Sequence, residues 1–139
     1  MIRVTADTNI IVSGLVYRRG KPYALLQRAL SGEISPTVSQ PILHEMADVL
    51  VRKFDATPEE VAEAQQIICV AARTVKPAVQ LDVIKEDPDD DRIFDCAVSA
   101  RSDYMVTGDN HPLRLGVYNG IRILSISDFL DLAPGQPLP

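Results

Sequence analysis

The chain has 139 residues, of which 46% are hydrophobic, so it is long enough for one well-buried domain and too short for two ordinary ones. Its formal net charge of −5 argues against a broadly basic nucleic-acid-binding surface, although net charge says little about a local site that binds cations. No apolar stretch approaches the length of a membrane span, and the N-terminus lacks the pattern of a secretion signal. We therefore expect one domain without membrane contact.

The first part of the chain alternates strand and helix patterns. Residues 2–6 form an apolar run that predicts a strand, and Gly20 and Pro22 then interrupt the chain. Residues 23–30 have the composition of a helix that Ser31-Gly32 would end. Residues 35–39 predict a second, short strand.

Two longer helices follow in the middle of the chain. Pro41 fits the first turn of a helix over residues 40–53, whose apolar positions recur at helical spacing and which contains Glu45. Thr57 supplies an N-cap hydroxyl, Pro58 fits the first helical position, and Glu60 can complete a capping box. These signals predict a helix that ends near residue 72.

The last part of the chain contains an acidic run and further short elements. Residues 74–84 predict one short strand and a loop, and the acids of residues 86–91 suit the N-terminus of the next helix. The remaining predicted elements are a helix over 92–101, a strand over 104–107, a turn over 108–112, a strand over 121–124 and a short helix near 128–132. The Pro-rich residues 134–139 predict a tail.

This alternation predicts an α/β fold, a three-layer α/β/α sandwich with a mainly parallel, Rossmann-like sheet covered by helices on both faces. The single domain should span residues 1–133. Cys69 and Cys96 lie in apolar surroundings without CxxC spacing, and both are predicted to be buried free thiols. Together with the missing secretion signal, they indicate a reducing cytoplasm.

Four acidic residues lie where a predicted strand ends or where a predicted helix begins or turns inward: Asp7, Glu45, Asp91 and Asp109. Ligands of open parallel sheets bind at the carboxyl ends of the strands, so these carboxylates are expected to converge. Carboxylate clusters with few basic or thiol neighbours suit hard cations such as Mg²⁺ or Mn²⁺ rather than zinc. The sequence thus predicts metal-assisted chemistry on phosphate.

Four segments taken together resemble the PIN-domain family, and they are most similar to the small VapC toxins of toxin-antitoxin pairs. The segments are Asp7-Thr8-Asn9, Glu45 in a helix after the second strand, Asp91-Arg92-Ile93-Phe94-Asp95-Cys96-Ala97 and Thr107-Gly108-Asp109. The resemblance implies a PIN-like fold, one or two Mg²⁺ or Mn²⁺ ions and endonucleolytic cleavage of RNA. It also implies a homodimer, for which the apolar helices at 23–31 and 40–53 are candidates, and an antitoxin protein as a possible partner.

Carried over to this chain, the resemblance implies that Asp7, Glu45, Asp91 and Asp109 are the catalytic and metal-binding acids. Asn9, Thr107 and Asp95 would be supporting residues. Asp89, Asp90 or Asp95 could share the role given to Asp91, because the first two adjoin it and Asp95 lies one helical turn further on.

The proposed reaction is direct attack of a metal-activated water on the phosphodiester, which leaves a 5′-phosphate and a 3′-hydroxyl. Glu45 is either a metal ligand or an orienter of the water. Arg18, Arg19 and Lys21, in the loop expected after the first strand, could hold the phosphates of the substrate. His44 and His111 are expected at the surface or beside the site rather than in the chemistry.

Two other functions are compatible with parts of the pattern. A PIN-like domain could bind protein or RNA without turnover. An aspartyl-phosphate phosphatase could use Asp7 as its nucleophile, but such an enzyme usually carries a second aspartate two residues later, where this chain has Asn9.

Overall fold

The computed structural model describes residues 1–76 and 90–132, with side chains in the second range described from residue 92 onward. Within these ranges six strands form one sheet in the order β3-β2-β1-β4-β6-β5. The strands are β1 Ile2–Ala6, β2 Ile34–Ser39, β3 Arg73–Val75, β4 Tyr104–Val106, β5 Val117–Tyr118 and β6 Ile121–Leu124. Neighbouring strands are parallel except β5 and β6, which form an antiparallel pair. The mainly parallel sheet predicted from the sequence is confirmed.

Seven helices of the described residues connect and cover these strands. They are α1 Thr8–Val16, α2 Lys21–Leu30, α3 Gln40–Phe54, α4 Pro58–Ala71, α5 Asp90–Ala100, α6 Asn110–Leu115 and α7 Ile126–Leu130. The capping box predicted for α4 is present, because Thr57 Oγ1 accepts from Glu60 N at 3.2 Å and Glu60 Oε1 accepts from Thr57 N at 2.9 Å. Hydrogen bonds to the exposed Glu60 carboxyl from the backbone N–H and from the side-chain hydroxyl of Thr57 lower its pKa.

The helices lie on both faces of the sheet. On one face an apolar core joins strand residues Ile2, Val4, Ile34, Tyr104 and Val106 to Ile10 of α1, Leu25 of α2 and Phe129 of α7. On the opposite face α5 packs Ile93, Phe94 and Ala97 against Met105 and Ile123. A further core joins α3 and α4 to Val12 of α1 and Cys96 of α5. The three-layer α/β/α fold is therefore confirmed.

The face beneath α5 also contains buried hydroxyl groups. Thr5 Oγ1 lies 2.9 Å from Thr37 Oγ1 and 2.8 Å from Ser102 Oγ, and all three residues are buried. Cys96 lies beside them, and its burial raises the pKa of the thiol from 9.0 to about 11, an effect that hydrogen bonds to Thr37, Thr5 and Ser39 only partly offset. The layer between α5 and the sheet is thus polar near β1 and β2 and apolar near β4 and β6.

The structure corrects several sequence expectations. α1 and β5 were not predicted, and residues 110–115 form α6 where a turn was expected. Cys69 lies on the exposed side of α4, so the prediction of a buried thiol is right for Cys96 and wrong for Cys69. The short strand expected within 74–84 begins at Arg73 and ends at Val75, whereas residues 77–84 lie outside the described ranges.

The domain boundaries at residues 1–133 stay a prediction, and the Pro-rich residues 134–139 lie outside the part of the chain that the structure describes. In the described ranges, every helix is too short or too polar to cross a bilayer.

Candidate functional site

The carboxyl ends of β1 and β4 meet at the point where the strand order changes direction. β1 pairs with both β2 and β4, so the chain moves outward on one side through β2 and β3 and returns to the other side with β4. Ligands of open α/β sheets bind at such a switch point, outside the carboxyl ends of the strands. Asp7 follows β1 directly, and the segment Thr107-Gly108-Asp109 follows β4.

Asp7 is tied to both sides of this switch point. Its Oδ1 accepts from Ile10 N at 2.9 Å and caps α1, and its Oδ2 accepts from Thr107 Oγ1 at 2.7 Å and from Gly108 N at 3.1 Å. The residue is only 7% exposed. Carboxylates that accept several hydrogen bonds are held in one orientation, and Oδ1, which accepts a single bond, keeps a lone pair for a further ligand.

Thr107 links Asp7 to Asp109. Its hydroxyl donates to Asp7 Oδ2 and accepts from Asp109 N at 3.0 Å. Asp109 is half-buried and caps α6 by accepting from His111 N at 3.4 Å, while His111 Nδ1 lies 4.0 Å from Asp109 Oδ1. Thr107, expected as a supporting residue, is therefore fully buried between two of the predicted acids.

Three of the four predicted acids line one open cleft of ≈ 470 Å³. Asp7 and Asp109 reach it from the strand ends, and Glu45 reaches it from the second turn of α3. Asn9, expected as a supporting residue, also lines this cleft. The structure thus brings together residues as far apart in sequence as Asp7 and Asp109.

The fourth acid, Asp91, belongs to the first turn of α5, but its side chain lies outside the described residues, as does that of Asp90. Asp89 lies outside the described ranges altogether. Ile93, two residues after Asp91, lines the cleft, so the beginning of α5 adjoins it.

Carboxylate oxygens dominate the donors of this cleft, and such a donor set suits Mg²⁺ or Mn²⁺. Among the side chains that the structure describes, no group of three His, Cys, Asp or Glu residues is close enough together to hold an ion. The predicted set contains Asp91 in addition to the three acids seen at the cleft. The residues at the cleft fit a hard cation in chemistry, because all three are oxygen donors.

Asp95 has a different position from the other predicted site residues. It is buried on α5 beside Cys96, where its charge is one of the smaller contributions that raise the pKa of the thiol. It is not among the residues that line the cleft.

The three basic residues do not lie in a loop directly after β1, because α1 intervenes. Arg18 and Arg19 follow the end of α1, and Lys21 is the first residue of α2. All three are exposed; Lys21 Nζ donates to Ser127 Oγ, and Arg18 lines a separate groove between α1, α3 and α4. Pro22 lines the acidic cleft, which places Lys21 one residue from its wall.

Sequence reasoning missed Thr8, Ser13 and Asn110, which also line the cleft. Thr8 is 3% exposed, and its Oγ1 has no hydrogen-bond partner among the described residues. Its position directly after Asp7 was a usable signal, because the first residue of a helix after a strand end faces the same edge of the sheet. His44 is exposed on α3, and His111 is half-buried beside Asp109.

Comparisons with known proteins agree with this geometry. A sequence profile of the PIN domain matches residues 3–111. The crystal structure of VapBC2 from Rickettsia felis, bound to a DNA fragment from their promoter, is similar with a TM-score of 0.62 and 13% sequence identity, over 89% of this chain and 98% of that chain. No curated protein matches the sequence. At this identity the solved structure shows the fold alone, but the profile covers more than half of the sequence, and the chain therefore belongs to the PIN domain family.

Proposed function

We propose that this PIN domain is an endoribonuclease that depends on Mg²⁺ or Mn²⁺ and acts as the toxin component of a toxin-antitoxin pair. The observation that carries the proposal is the convergence of Asp7, Glu45 and Asp109 on one cleft at the switch point of the sheet. A cleft lined by carboxylates repels RNA unless a cation reverses the local charge, so the same acids that bind the ion make phosphate binding possible.

Each acid has a role that follows from its position. Asp7 and Asp109 would hold the ion together with Asp91, because Asp7 and Asp109 are fixed at adjacent strand ends and Asp91 stands at the beginning of α5. The half-exposed side chain of Glu45 reaches the cleft from α3. This position suits a group that orients a water or that binds the ion from the side opposite the strand ends. When bound, the ion would lower the pKa of a water and neutralise charge on the phosphate.

The chemical step requires a water and the phosphodiester. The oxygen of the water would form a bond to phosphorus, the bond from phosphorus to O3′ would break, and the leaving oxygen would take up a proton from the solvent. The products carry a 5′-phosphate and a 3′-hydroxyl. Glu45 would accept the proton of the water at its carboxylate, while Asn9 and Thr107 keep the acids and the substrate in place.

Lys21, Arg18 and Arg19 would supply positive charge to the flanking phosphates. Lys21 begins α2 beside the cleft, and its ammonium is exposed. Salt-dependent binding is expected from such contacts, because each phosphate that a protein cation neutralises releases counterions.

We also propose two protein partners. The similar structure from Rickettsia felis is described as a VapBC2 assembly with promoter DNA, which supports an antitoxin for this chain. A homodimer needs an exposed apolar surface, and five of the apolar residues of α3 do not supply it, because they are buried within the chain: Ile42, Leu43, Met46, Val49 and Leu50. Three apolar residues of α3 and α4 are exposed and support a dimer surface there: Val51, Ile67 and Val70.

With its unpaired thiols, the protein suits a reducing cytoplasm.

The test is cleavage of a mixed pool of structured RNAs with Mg²⁺ or Mn²⁺, beside an EDTA control and a matched DNA pool, with the cut ends mapped. Asp109→Asn and Glu45→Gln are expected to lower the rate by more than about 100-fold, since partners outside the ligand set alone are worth about 10–100-fold. Asp48→Asn, an exposed acid on α3 outside the cleft, is the matched control and should cleave like the wild type.

The outcomes separate the competing functions. Cleavage that continues in EDTA or in Asp109→Asn would contradict the proposal. RNA binding without cuts would favour a binding module, and a phosphoryl group trapped on Asp7 would favour a phosphatase.

A further inference from the structure

Thr8 is the first residue of α1 and lies in the wall of the acidic cleft between Asp7 and Asn9. Its side chain is almost completely buried, at 3% exposure, and Oγ1 has no hydrogen-bond partner among the residues that the structure describes. A buried hydroxyl without a partner is destabilising, because it has lost its hydrogen bonds to water and gained none in return. A valine of the same shape would avoid that loss.

The other buried threonines show that the fold can satisfy this side chain. Thr5 Oγ1 has two hydroxyl neighbours, at 2.8 and 2.9 Å, and Thr107 Oγ1 donates to Asp7 and accepts from Asp109 N. Thr8 has the same residue type and similar burial, yet it lacks such a contact. Because Thr8 lines the cleft, a ligand bound there is the group from outside the fold that can supply the missing acceptor.

The surroundings of Thr8 determine which ligand chemistry fits. The ionised carboxylates of Asp7, Glu45 and Asp109 only accept hydrogen bonds, so an anionic oxygen that enters the cleft receives no hydrogen bond from them. The hydroxyl of Thr8 is a donor. It also stands in the first turn of a helix, where unpaired N–H groups and the helix dipole favour negative charge.

We infer that Thr8 is a positioning residue of the loaded site, whose hydroxyl donates to an oxygen that is within reach only when the cleft is occupied. Two sources can supply that oxygen. One is a carboxylate or water oriented by the divalent cation, and the other is a phosphate oxygen of the nucleic acid. The inference rests on the proposed function and adds a residue that the resemblance did not assign.

The first test uses Thr8→Val and Thr8→Ser in the metal-free protein. In EDTA, Thr8→Val should melt at the same temperature as the wild type or higher, because the change removes an unpaired hydroxyl and keeps the shape of the side chain. The matched control, Thr5→Val, should melt about 3–6 °C lower, because it breaks two buried hydrogen bonds. If Thr8→Val melts as low as Thr5→Val, the hydroxyl has a structural partner and the inference is overturned.

The second test separates the two sources of the oxygen. Titration with Mn²⁺ alone, followed by melting temperature, reports the cation site, and binding of a fluorescent RNA with Ca²⁺ reports the phosphate. Thr8→Val should weaken at least one of these affinities by about 10-fold or more, a size typical of hydrogen bonds to charged groups, and Thr8→Ser should restore it. A loss with Mn²⁺ alone assigns the oxygen to the cation site, and a loss only with RNA assigns it to the phosphate. Equal affinities of Thr8→Val and wild type in both titrations would overturn the inference.

The two proposals fail in different ways. If the wild type binds Mn²⁺ and RNA but cleaves nothing, the nuclease proposal fails and the binding tests of Thr8 still decide its role. If the wild type cleaves and Thr8→Val matches it in rate and in both affinities, only the inference about Thr8 fails. If the wild type binds neither ligand, both proposals fall.

Discussion

Asp7→Asn is the usual choice for inactivating a carboxylate site, and here it should also destabilise the metal-free fold. Asp7 accepts three hydrogen bonds, from Ile10 N, Thr107 Oγ1 and Gly108 N, and these join the beginning of α1 to the segment after β4. An asparagine has one acceptor oxygen and one NH₂ group in place of the two carboxylate oxygens. It cannot accept all three bonds.

The cost follows from which bonds survive. Asparagine is as good an N-cap as aspartate, so its oxygen would keep the bond from Ile10 N. Its NH₂ group then faces Thr107 Oγ1, which can turn to accept, and Gly108 N–H, which cannot. One backbone donor is left opposite another donor, and a partly buried donor without a partner costs about 1–3 kcal/mol. Relief of repulsion among the carboxylates acts in the other direction, but Glu45 and Asp109 are half-exposed, so solvent limits this effect to less than about 1 kcal/mol.

We therefore expect Asp7→Asn to lose about 2 kcal/mol of the free energy of unfolding in EDTA, and the urea midpoint to fall by about 1 M. Asp109→Asn should lose less than about 0.5 kcal/mol, because Asp109 accepts a single long bond of 3.4 Å that asparagine can also accept. Urea unfolding of both variants and the wild type, followed by circular dichroism, measures the difference. Equal midpoints for the two variants, or a higher midpoint for Asp7→Asn, would refute the hydrogen-bond argument.

Four further results are expected. Mn²⁺ at 100 times its dissociation constant should stabilise the wild type by about 2.7 kcal/mol, and Asp109→Asn should lose most of this shift; an unchanged wild-type melt across millimolar Mn²⁺ would argue against the cation site. Gly14→Ala should lower the free energy of unfolding by about 1–2 kcal/mol, because a Cβ would lie 2.8 Å from the carbonyl oxygen of Pro22. The gain in helix propensity is smaller than the cost of this clash. An unchanged urea midpoint would show instead that α1 and α2 can separate slightly. Iodoacetamide at pH 8 should modify Cys69 and spare Cys96 in the native protein, as mass spectrometry of the peptides can show. Burial raises the pKa of Cys96 to about 11, so the neutral thiol makes its full contribution to the free energy of unfolding below pH 9. As the pH rises toward 11, the protein should lose up to about 3 kcal/mol of this free energy. Cys96→Ala should not show this loss.

The sequence predicted those elements whose signals are local. Thr57 and Glu60 form the capping box of α4 within four residues, and both of its hydrogen bonds are present. Ser39 and Pro41 mark the beginning of α3 in the same way, since Ser39 caps the helix and Pro41 occupies its first turn. Helix caps need no tertiary information, because donor and acceptor come from adjacent residues.

The missed elements have weaker or conflicting local signals. α1 begins with Thr8 and continues through Ile10-Ile11-Val12, a β-branched run with lower helix propensity that also suits a strand. α6 has six residues, too few for helical periodicity to be visible. In both cases the aspartate before the helix was interpreted as a strand-end ligand, whereas it also caps the helix that follows.

The basic residues illustrate how one missed helix changes a functional prediction. Without α1, Arg18, Arg19 and Lys21 would share a loop beside the strand end. With α1 in place, Arg18 lines the groove between α1, α3 and α4, and Lys21 stays beside the acidic cleft through its neighbour Pro22. Arg18 thus lies at a different surface from the cleft, and Lys21 adjoins a residue of the cleft wall.

The candidate site shows a limit that no local signal removes. Asp7 and Asp109 could be placed because a topological rule assigns ligands to the carboxyl ends of parallel strands. Thr5, Thr8 and Thr107 are all buried threonines within or next to β1 and β4, and the sequence gives no means of telling them apart. Only the atomic contacts separate them, since Thr5 and Thr107 are hydrogen-bonded inside the fold and Thr8 has no partner among the described residues. Residue type and position can therefore indicate which side chains reach a cleft, but whether a polar group is already satisfied, and so whether it remains available to a ligand, depends on packing between segments distant in sequence.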